Sequence, residues 1–153
     1  MQQDYDIVEF DNQKAKIVKY IVYKKRSEQE IRNKFYGKIE ENLLEDIIEY
    51  LKENEYINDK EYIKKTIKEY MTLNNLSMKE IKYKLLAKGI QKSDLEDYLS
   101  NHTDELYDYE LESAKKLAVK KANQMSEEEI RTYLLKKGYQ EENIRQALQY
   151  LDD

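Results

Sequence analysis

The chain contains no cysteine and no proline. The absence of thiols excludes disulfides, thiolate nucleophiles, iron–sulfur clusters and cysteine zinc sites. The single histidine, His102, cannot build a multi-histidine metal site. The sequence also contains no glycine-rich phosphate loop and no motif that pairs a nucleophile with a base. We therefore predict that the protein is not an enzyme and that it takes no cofactor, metal ion or small-molecule substrate.

Long apolar runs and helix breakers are also missing. No apolar run approaches the roughly 18 residues that a membrane-spanning helix needs, and the acidic start MQQDYDIVEF lacks the basic region of a signal peptide. We therefore expect a soluble, cytoplasmic protein without membrane contact. Only three glycines accompany the missing prolines. A chain rich in Lys, Glu, Leu and Ile with so few breakers is predicted to be all-α.

One short pattern occurs three times, a serine followed at the third position by glutamate and then by isoleucine. The copies are SEQEI (27–31), SMKEI (77–81) and SEEEI (126–130). Segments 77–99 and 126–148 align without gaps, whereas the first copy carries two extra residues and a displaced glycine. Because a unit of about 50 residues buries too little surface to be stable alone, the copies are predicted to stack as tandem repeats.

Each copy has the sequence of a capped helix. The serine can accept a hydrogen bond from the amide three residues on, while the glutamate accepts one from the serine amide, forming a capping box. In the second copy, Ile81, Leu85 and Leu86 are predicted to form the apolar face of this helix. Gly89 and Gly138 each follow a lysine at the predicted helix end, where glycine can adopt the left-handed conformation. A second helix is predicted to follow each of these glycines.

A further helical stretch precedes each serine, so each repeat is predicted to contain three helices. The predicted fold is an all-α, elongated and curved array of three tandem three-helix repeats. We assign residues 14–55, 56–102 and 103–153 to repeats 1, 2 and 3. Residues 1–13 lie outside the pattern as an N-terminal arm, for which a short strand and an extended segment are both open.

The charges are unevenly distributed about a net charge of −5. Residues 14–38 carry nine basic side chains and two acidic ones. Residues 64–92 carry eight basic side chains and two acidic ones. Residues 93–112 carry eight acidic side chains and no basic one. A bipolar surface of this kind suits a partner that carries both signs of charge, although solvated helix faces can have the same composition.

The repeats resemble the RecX family of regulatory proteins, which modulate the RecA recombinase. The resemblance covers about residues 14–150 and rests on three motifs in a fixed order. These motifs are RSEQEI (26–31), INDKEY (57–62) and IKYKLLAKGI (81–90). The chain departs from the family at the end of the second motif. Family members usually have Phe-Ala after the paired Asn58 and Asp59, where this chain has Tyr62 and Ile63.

The resemblance implies a protein that binds RecA and its filament on single-stranded DNA. It implies inhibition of filament extension, ATP hydrolysis, strand exchange and co-protease activity. The chain would thereby modulate DNA repair, homologous recombination and the SOS response. We expect contact with single-stranded DNA itself to be indirect or weak, and we expect the chain to be a monomer.

Basic residues are the predicted contacts with acidic recombinase surface or with DNA phosphates. The candidates are Lys24, Lys25, Arg26, Arg32, Lys64, Lys65, Lys68, Lys82 and Lys84. Tyr20, Tyr23, Tyr36 and Tyr83 lie among them and are candidates for base stacking. The acidic segment 93–112 is expected to face a basic partner surface.

Two other hypotheses are open. Three-helix units also occur in helix-turn-helix proteins that bind DNA directly, but the negative net charge disfavours binding to free DNA. A general helical-repeat scaffold would have the same architecture with a different client. Binding to a recombinase filament separates the scaffold hypothesis from the RecX hypothesis.

Overall fold

A computed structural model describes residues 5–153 of the chain. All nine elements formed by these residues are α-helices, so the predicted all-α class is confirmed. In chain order they are α1 (Ile7–Tyr23), α2 (Glu28–Phe35), α3 (Glu41–Glu53), α4 (Asp59–Leu73), α5 (Met78–Ala87), α6 (Lys92–Ser100), α7 (Thr103–Lys121), α8 (Glu127–Lys137) and α9 (Glu141–Asp152). Within this part of the chain, no helix combines the length and the apolar character needed to cross a membrane.

The buried apolar side chains of residues 5–153 form three clusters along the chain. The first is built mainly from α1, α2 and α3, the second from α4, α5 and α6, and the third from α7, α8 and α9. This grouping is compatible with the predicted three repeats. Helix α7 belongs to two clusters, because Leu106 and Tyr109 join the second while Ala114 and Leu117 join the third. One continuous helix therefore links the second core to the third.

Part of the predicted N-terminal arm is helical. Its residues 1–4 lie outside the described residues, but α1 already begins at Ile7. Asp6 caps this helix by accepting a hydrogen bond from the Glu9 amide at 2.7 Å. From Ile7 onward the strand and extended alternatives are therefore wrong, because this cap starts a helix that continues without a break into the first core.

The predicted apolar face of α5 was too wide. Ile81 and Leu85 are fully buried, but Leu86 is 43% exposed, and its equivalent in α8, Leu135, is also 43% exposed. A residue that follows Leu85 directly is rotated from it by about 100° around the helix axis. The face that packs into the core therefore stops at Leu85.

The capping serines also connect parts of the chain that are distant in sequence. All three predicted capping boxes are present. In addition, Ser27 Oγ donates to the Lys88 carbonyl at 2.7 Å, and Ser77 Oγ donates to the Lys137 carbonyl at 2.6 Å. In both cases the acceptor is the lysine just before a helix-ending glycine. We call these two contacts the serine junctions; the third capping serine, Ser126, is exposed instead.

The junctions predict different costs for two similar substitutions. We expect Ser77→Ala to lower the free energy of unfolding by about 2–3 kcal/mol, because the fully buried Ser77 supplies a helix cap and also the hydrogen bond to Lys137. The matched Ser126→Ala loses only its cap and should cost about 1 kcal/mol. Urea denaturation followed by circular dichroism measures both values. Equal losses would mean that the junction hydrogen bond contributes nothing.

Candidate partner-binding site

The two basic segments of the sequence meet in one cleft. The first contributes the loop after α1, and the second contributes α4 and the turn after α5. The cleft has a volume of about 290 Å³. Its lining residues are Lys24, Lys25, Tyr62, Lys65, Thr66, Glu69, Tyr70 and Lys88. Four lysines against one glutamate make this basic cleft attractive to an anionic partner.

Local conformation explains why these side chains converge. Helix α1 ends at Tyr23, and Lys24 is extended, with φ −158° and ψ 137°. This extended segment brings the chain to the Ser27 cap and passes beside α4. Residues three and four apart share one face of a helix. On α4 this spacing places Tyr62, Lys65 and the residues one turn further along on the face that lines the cleft.

Most of the charged side chains in the cleft form no ion pair with another residue of the described range 5–153. Lys88 Nζ lies 3.7 Å from Glu30 Oε2. Among residues 5–153, no carboxylate lies within ion-pair distance of Lys24, Lys25 or Lys65. These three ammonium groups can therefore pair with a partner without first breaking a salt bridge.

Two tyrosines form the inner wall of the cleft. Tyr62 is buried and Tyr70 is half-buried. Burial raises the pKa of Tyr62, and the negative charge of Glu30 raises it further. The pKa of Tyr70 is raised by burial and then by the charge of Glu69. Both hydroxyls therefore stay protonated at neutral pH, and that of Tyr62 faces the Glu30 carboxylate, which leaves Tyr70 as the better donor to an anion.

Arg26 lies beside the cleft lysines in sequence but packs inward. Its guanidinium lies over the ring of Tyr20, 4.0 Å from the ring centroid, and its Nε is buried. This cation–π contact occupies Tyr20, which was a predicted stacking residue. The other candidates for base stacking, Tyr23, Tyr36 and Tyr83, are 85%, 84% and 75% exposed and remain open to a partner.

Arg32 is held in an internal ion-pair network. Its Nη1 and Nη2 donate to the two carboxylate oxygens of Glu45, each at 2.7 Å, and its Nε donates to Glu28 at 3.0 Å. Such a two-pronged contact fixes the guanidinium in one orientation. Glu45 is thirteen residues from Arg32 in the sequence. The charge pattern around Arg32 therefore did not reveal that its guanidinium is paired with a carboxylate.

The remaining predicted contacts lie outside the cleft. Lys64 and Lys68 are exposed on α4 and are not among the residues that line it. Lys82 lines a different cavity, and Lys84 is exposed on α5. In contrast, Lys88 lines the cleft although it was not among the candidates. Its position before the helix-ending Gly89 was the available signal, because that turn brings Lys88 back onto the Ser27 cap.

One member of the acidic segment 93–112 does not face outward. Glu110 is only 2% exposed, and its Oε1 accepts a hydrogen bond from the Gln140 amide at 2.9 Å, at the start of α9. Burial raises the pKa of this carboxyl, and the Gln140 hydrogen bond opposes the rise. Glu110 therefore holds α9 on α7 and is unavailable to a partner. Within the described residues, no three carboxylate or histidine side chains are arranged as a metal site.

The chain is similar in sequence to proteins named regulatory protein RecX. The protein of Clostridium acetobutylicum is 31% identical over 94% of this chain and 72% of its own length. The protein of Staphylococcus carnosus is 30% identical over 88% of this chain and 52% of its own length. The protein of Clostridium perfringens strain SM101 is 36% identical over 74% of this chain and 56% of its own length. The chain thus spans little more than half the length of the last two relatives.

Solved structures show the same fold. The crystal structure of RecX from Lactobacillus salivarius matches with a TM-score of 0.77 and 28% identity, over 94% of this chain and 96% of that one. A second crystal structure, of a regulatory protein RecX, matches with a TM-score of 0.74 and 24% identity. This match covers 96% of this chain and 79% of that one. No protein-family model matches the chain. On the extent of the Clostridium acetobutylicum match and the shared fold, this chain belongs to the RecX family of regulatory proteins.

Proposed function

We propose that the protein regulates the RecA recombinase by docking on the filament that RecA forms on single-stranded DNA. The observation that carries this proposal is the similarity to RecX proteins, which extends over 94% of the chain and whose name states a regulatory role. In this proposal the chain inhibits filament extension. Loss of filament then reduces ATP hydrolysis, strand exchange and co-protease activity, and so modulates DNA repair and the SOS response.

The basic cleft is the proposed contact surface. Lys24, Lys25 and Lys65 line the cleft and form no ion pair within residues 5–153, and an acidic protein surface or a phosphate backbone would complement their charges. The candidates outside the cleft, such as Lys64 and Lys82, are proposed to contribute less. Because exposed charges are screened by salt, the affinity for the filament should fall steeply with ionic strength.

We propose that the three predicted repeats give the chain more than one contact surface. We propose that a monomer touches more than one recombinase protomer. The acidic residues of segment 93–112 other than Glu110 would then face a basic part of the filament. Under this arrangement the chain binds the assembled filament better than it binds a single protomer or free DNA.

The test is the ATPase activity of RecA on single-stranded DNA, titrated with this protein. We expect inhibition far below one chain per recombinase protomer, because a chain that blocks extension acts on many protomers at once. Cosedimentation with the filament measures binding directly. Absence of inhibition together with absence of binding would contradict the proposed function.

A mobility-shift experiment on free single-stranded DNA, at two salt concentrations, is the matching control. We expect weak binding that disappears at the higher concentration. Binding to free DNA as tight as binding to the filament would favour the hypothesis of a direct DNA-binding protein. Tight binding to the filament without any effect on ATP hydrolysis would favour a helical scaffold.

A further inference from the structure

Each serine junction receives a turn whose conformation and close packing favour glycine. Gly89 and Gly138 have φ values of +83° and +97°. A Cβ atom on Gly89 would lie 2.2 Å from the Cβ of Gln29, and one on Gly138 would lie 2.8 Å from the Cβ of Lys79. Gln29 and Lys79 occupy the same place, two residues after the capping serine. The two junctions are therefore built in the same way.

The lysine before each glycine adds a charged contact. Lys88 Nζ lies 3.7 Å from Glu30 Oε2, and Lys137 Nζ lies 3.2 Å from Glu80 Oε2. Both glutamates are the capping-box residues of their helices. Each junction thus recognises a Lys-Gly helix end in three ways. The serine binds the lysine carbonyl, the glutamate binds the lysine ammonium group, and the side chain between them packs on the glycine.

Helix α8 presents the same elements with nothing docked on them in the described chain. Ser126 and Glu129 form the capping box, and Glu128 lies two residues after the serine. All three residues are exposed, whereas Ser27 and Ser77 are fully buried. They border a shallow, largely open surface depression of about 390 Å³, lined by Met125, Glu128, Glu129, Thr132, Tyr133 and Lys136. We call this surface, with Ser126, the open socket.

We propose that the open socket binds a helix end of another protein, one that terminates in Lys-Gly with the glycine in the left-handed conformation. The first reason is that two equivalent surfaces of the same chain bind this element through the same three positions. The second reason is charge. Glu128 and Glu129 line the socket with one basic residue, Lys136, and this excess of acidic side chains complements the lysine of the incoming turn.

A second copy of this chain does not offer the required element. Its two Lys-Gly turns are already used in the serine junctions. Its remaining glycine turn, at Gly37, is open but is preceded by Tyr36 in place of lysine. The ψ angle of Tyr36 is 128°, whereas that of Lys88 is 4°. The carbonyl that would meet Ser126 therefore points in a different direction.

The probe for this proposal is a stapled helical peptide that copies residues 127–140, EEEIRTYLLKKGYQ, and so ends in the Lys137-Gly138 turn. It is titrated into the isotope-labelled full chain, and amide shifts are followed by nuclear magnetic resonance. We expect weak, saturable binding with shifts confined to the start of α8 and the preceding loop. A control peptide carrying Gly138→Ala should bind at least about tenfold more weakly. The added Cβ disfavours the positive φ of the turn and would also collide with the surface of the socket.

A chain variant tests the charged contact without loss of the cap. Glu129→Gln retains a capping box, since glutamine also caps at this position, but it removes the carboxylate charge and should weaken binding of the peptide about threefold. Glu141→Gln, an exposed acid in the first turn of α9, should change nothing. Absence of shifts, or equal binding of the alanine peptide, would overturn the proposal. Self-association of the chain that Glu129→Gln abolishes would also overturn it, by identifying a second copy as the occupant.

Discussion

Replacement of Gly89 by alanine should destabilise the protein far more than replacement of Gly37. Both glycines have positive φ, +83° and +76°, so the backbone strain of about 1 kcal/mol or slightly more is common to both substitutions. A Cβ on Gly89 would also lie 2.2 Å from the Cβ of Gln29, whereas nothing lies within 4 Å of one on Gly37. We expect Gly89→Ala to lower the free energy of unfolding by about 3–4 kcal/mol and Gly37→Ala by about 1 kcal/mol.

Thermal and urea denaturation measure the difference. For a chain of this size about 3 kcal/mol corresponds to a decrease in Tm of roughly 10 °C. Gln29→Gly in the Gly89→Ala background removes the colliding Cβ and should restore part of the loss. Equal effects at the two glycines would show that the first serine junction is not tightly packed. Because Lys88 precedes Gly89 and lines the basic cleft, Gly89→Ala should also weaken filament binding.

Reversal of charge inside the basic cleft should reduce the affinity for the recombinase filament by at least about a hundredfold. The variant is Lys24→Glu, Lys25→Glu and Lys65→Glu together. Each reversal replaces an attraction with a repulsion, and about 1 kcal/mol per residue gives this magnitude. These lysines form no ion pairs within residues 5–153, so the variant should keep its fold. Its circular dichroism spectrum and Tm verify this.

The matched control carries the same change in net charge outside the cleft. Lys64→Glu, Lys68→Glu and Lys84→Glu replace exposed lysines of α4 and α5, and we expect an affinity loss of less than about tenfold. Fluorescence anisotropy with a labelled filament at two ionic strengths measures both variants. The cleft variant should lose most of the salt dependence of binding. Equal losses for the two variants would mean that overall charge, not the cleft, controls the interaction.

Much of the fold followed from local interactions that the sequence displays. A capping box joins residues three positions apart, so SEQEI, SMKEI and SEEEI were sufficient to place the starts of α2, α5 and α8. The absence of proline and the regular apolar spacing were likewise sufficient for the all-α class. The extent of an apolar helix face was not predicted correctly, since Leu86 was assigned to the buried face of α5 but is exposed. Packing against neighbouring helices decides where such a face ends.

The candidate site was predicted only in part. Lys24, Lys25 and Lys65, which were predicted as contacts because they belong to basic runs, line the proposed cleft. The engagement of Arg32 with Glu45 and the arrival of Lys88 in the cleft were missed. Both depend on residues brought together by the packing of helices, and a charge count along the chain cannot distinguish a paired guanidinium from a free ammonium group.

By itself the sequence determined that the chain is helical, where its capped helices start and which short pattern repeats. These features depend on hydrogen bonds and side-chain periodicity within one or two helical turns. Only the tertiary structure decided that Ser27 and Ser77 also bind carbonyls 61 and 60 residues further along the chain, and that Ser126 remains exposed, with no such partner among the residues the structure describes. Identical capping motifs acquire different roles because burial and the approach of a distant turn, not the motif, supply the additional contact.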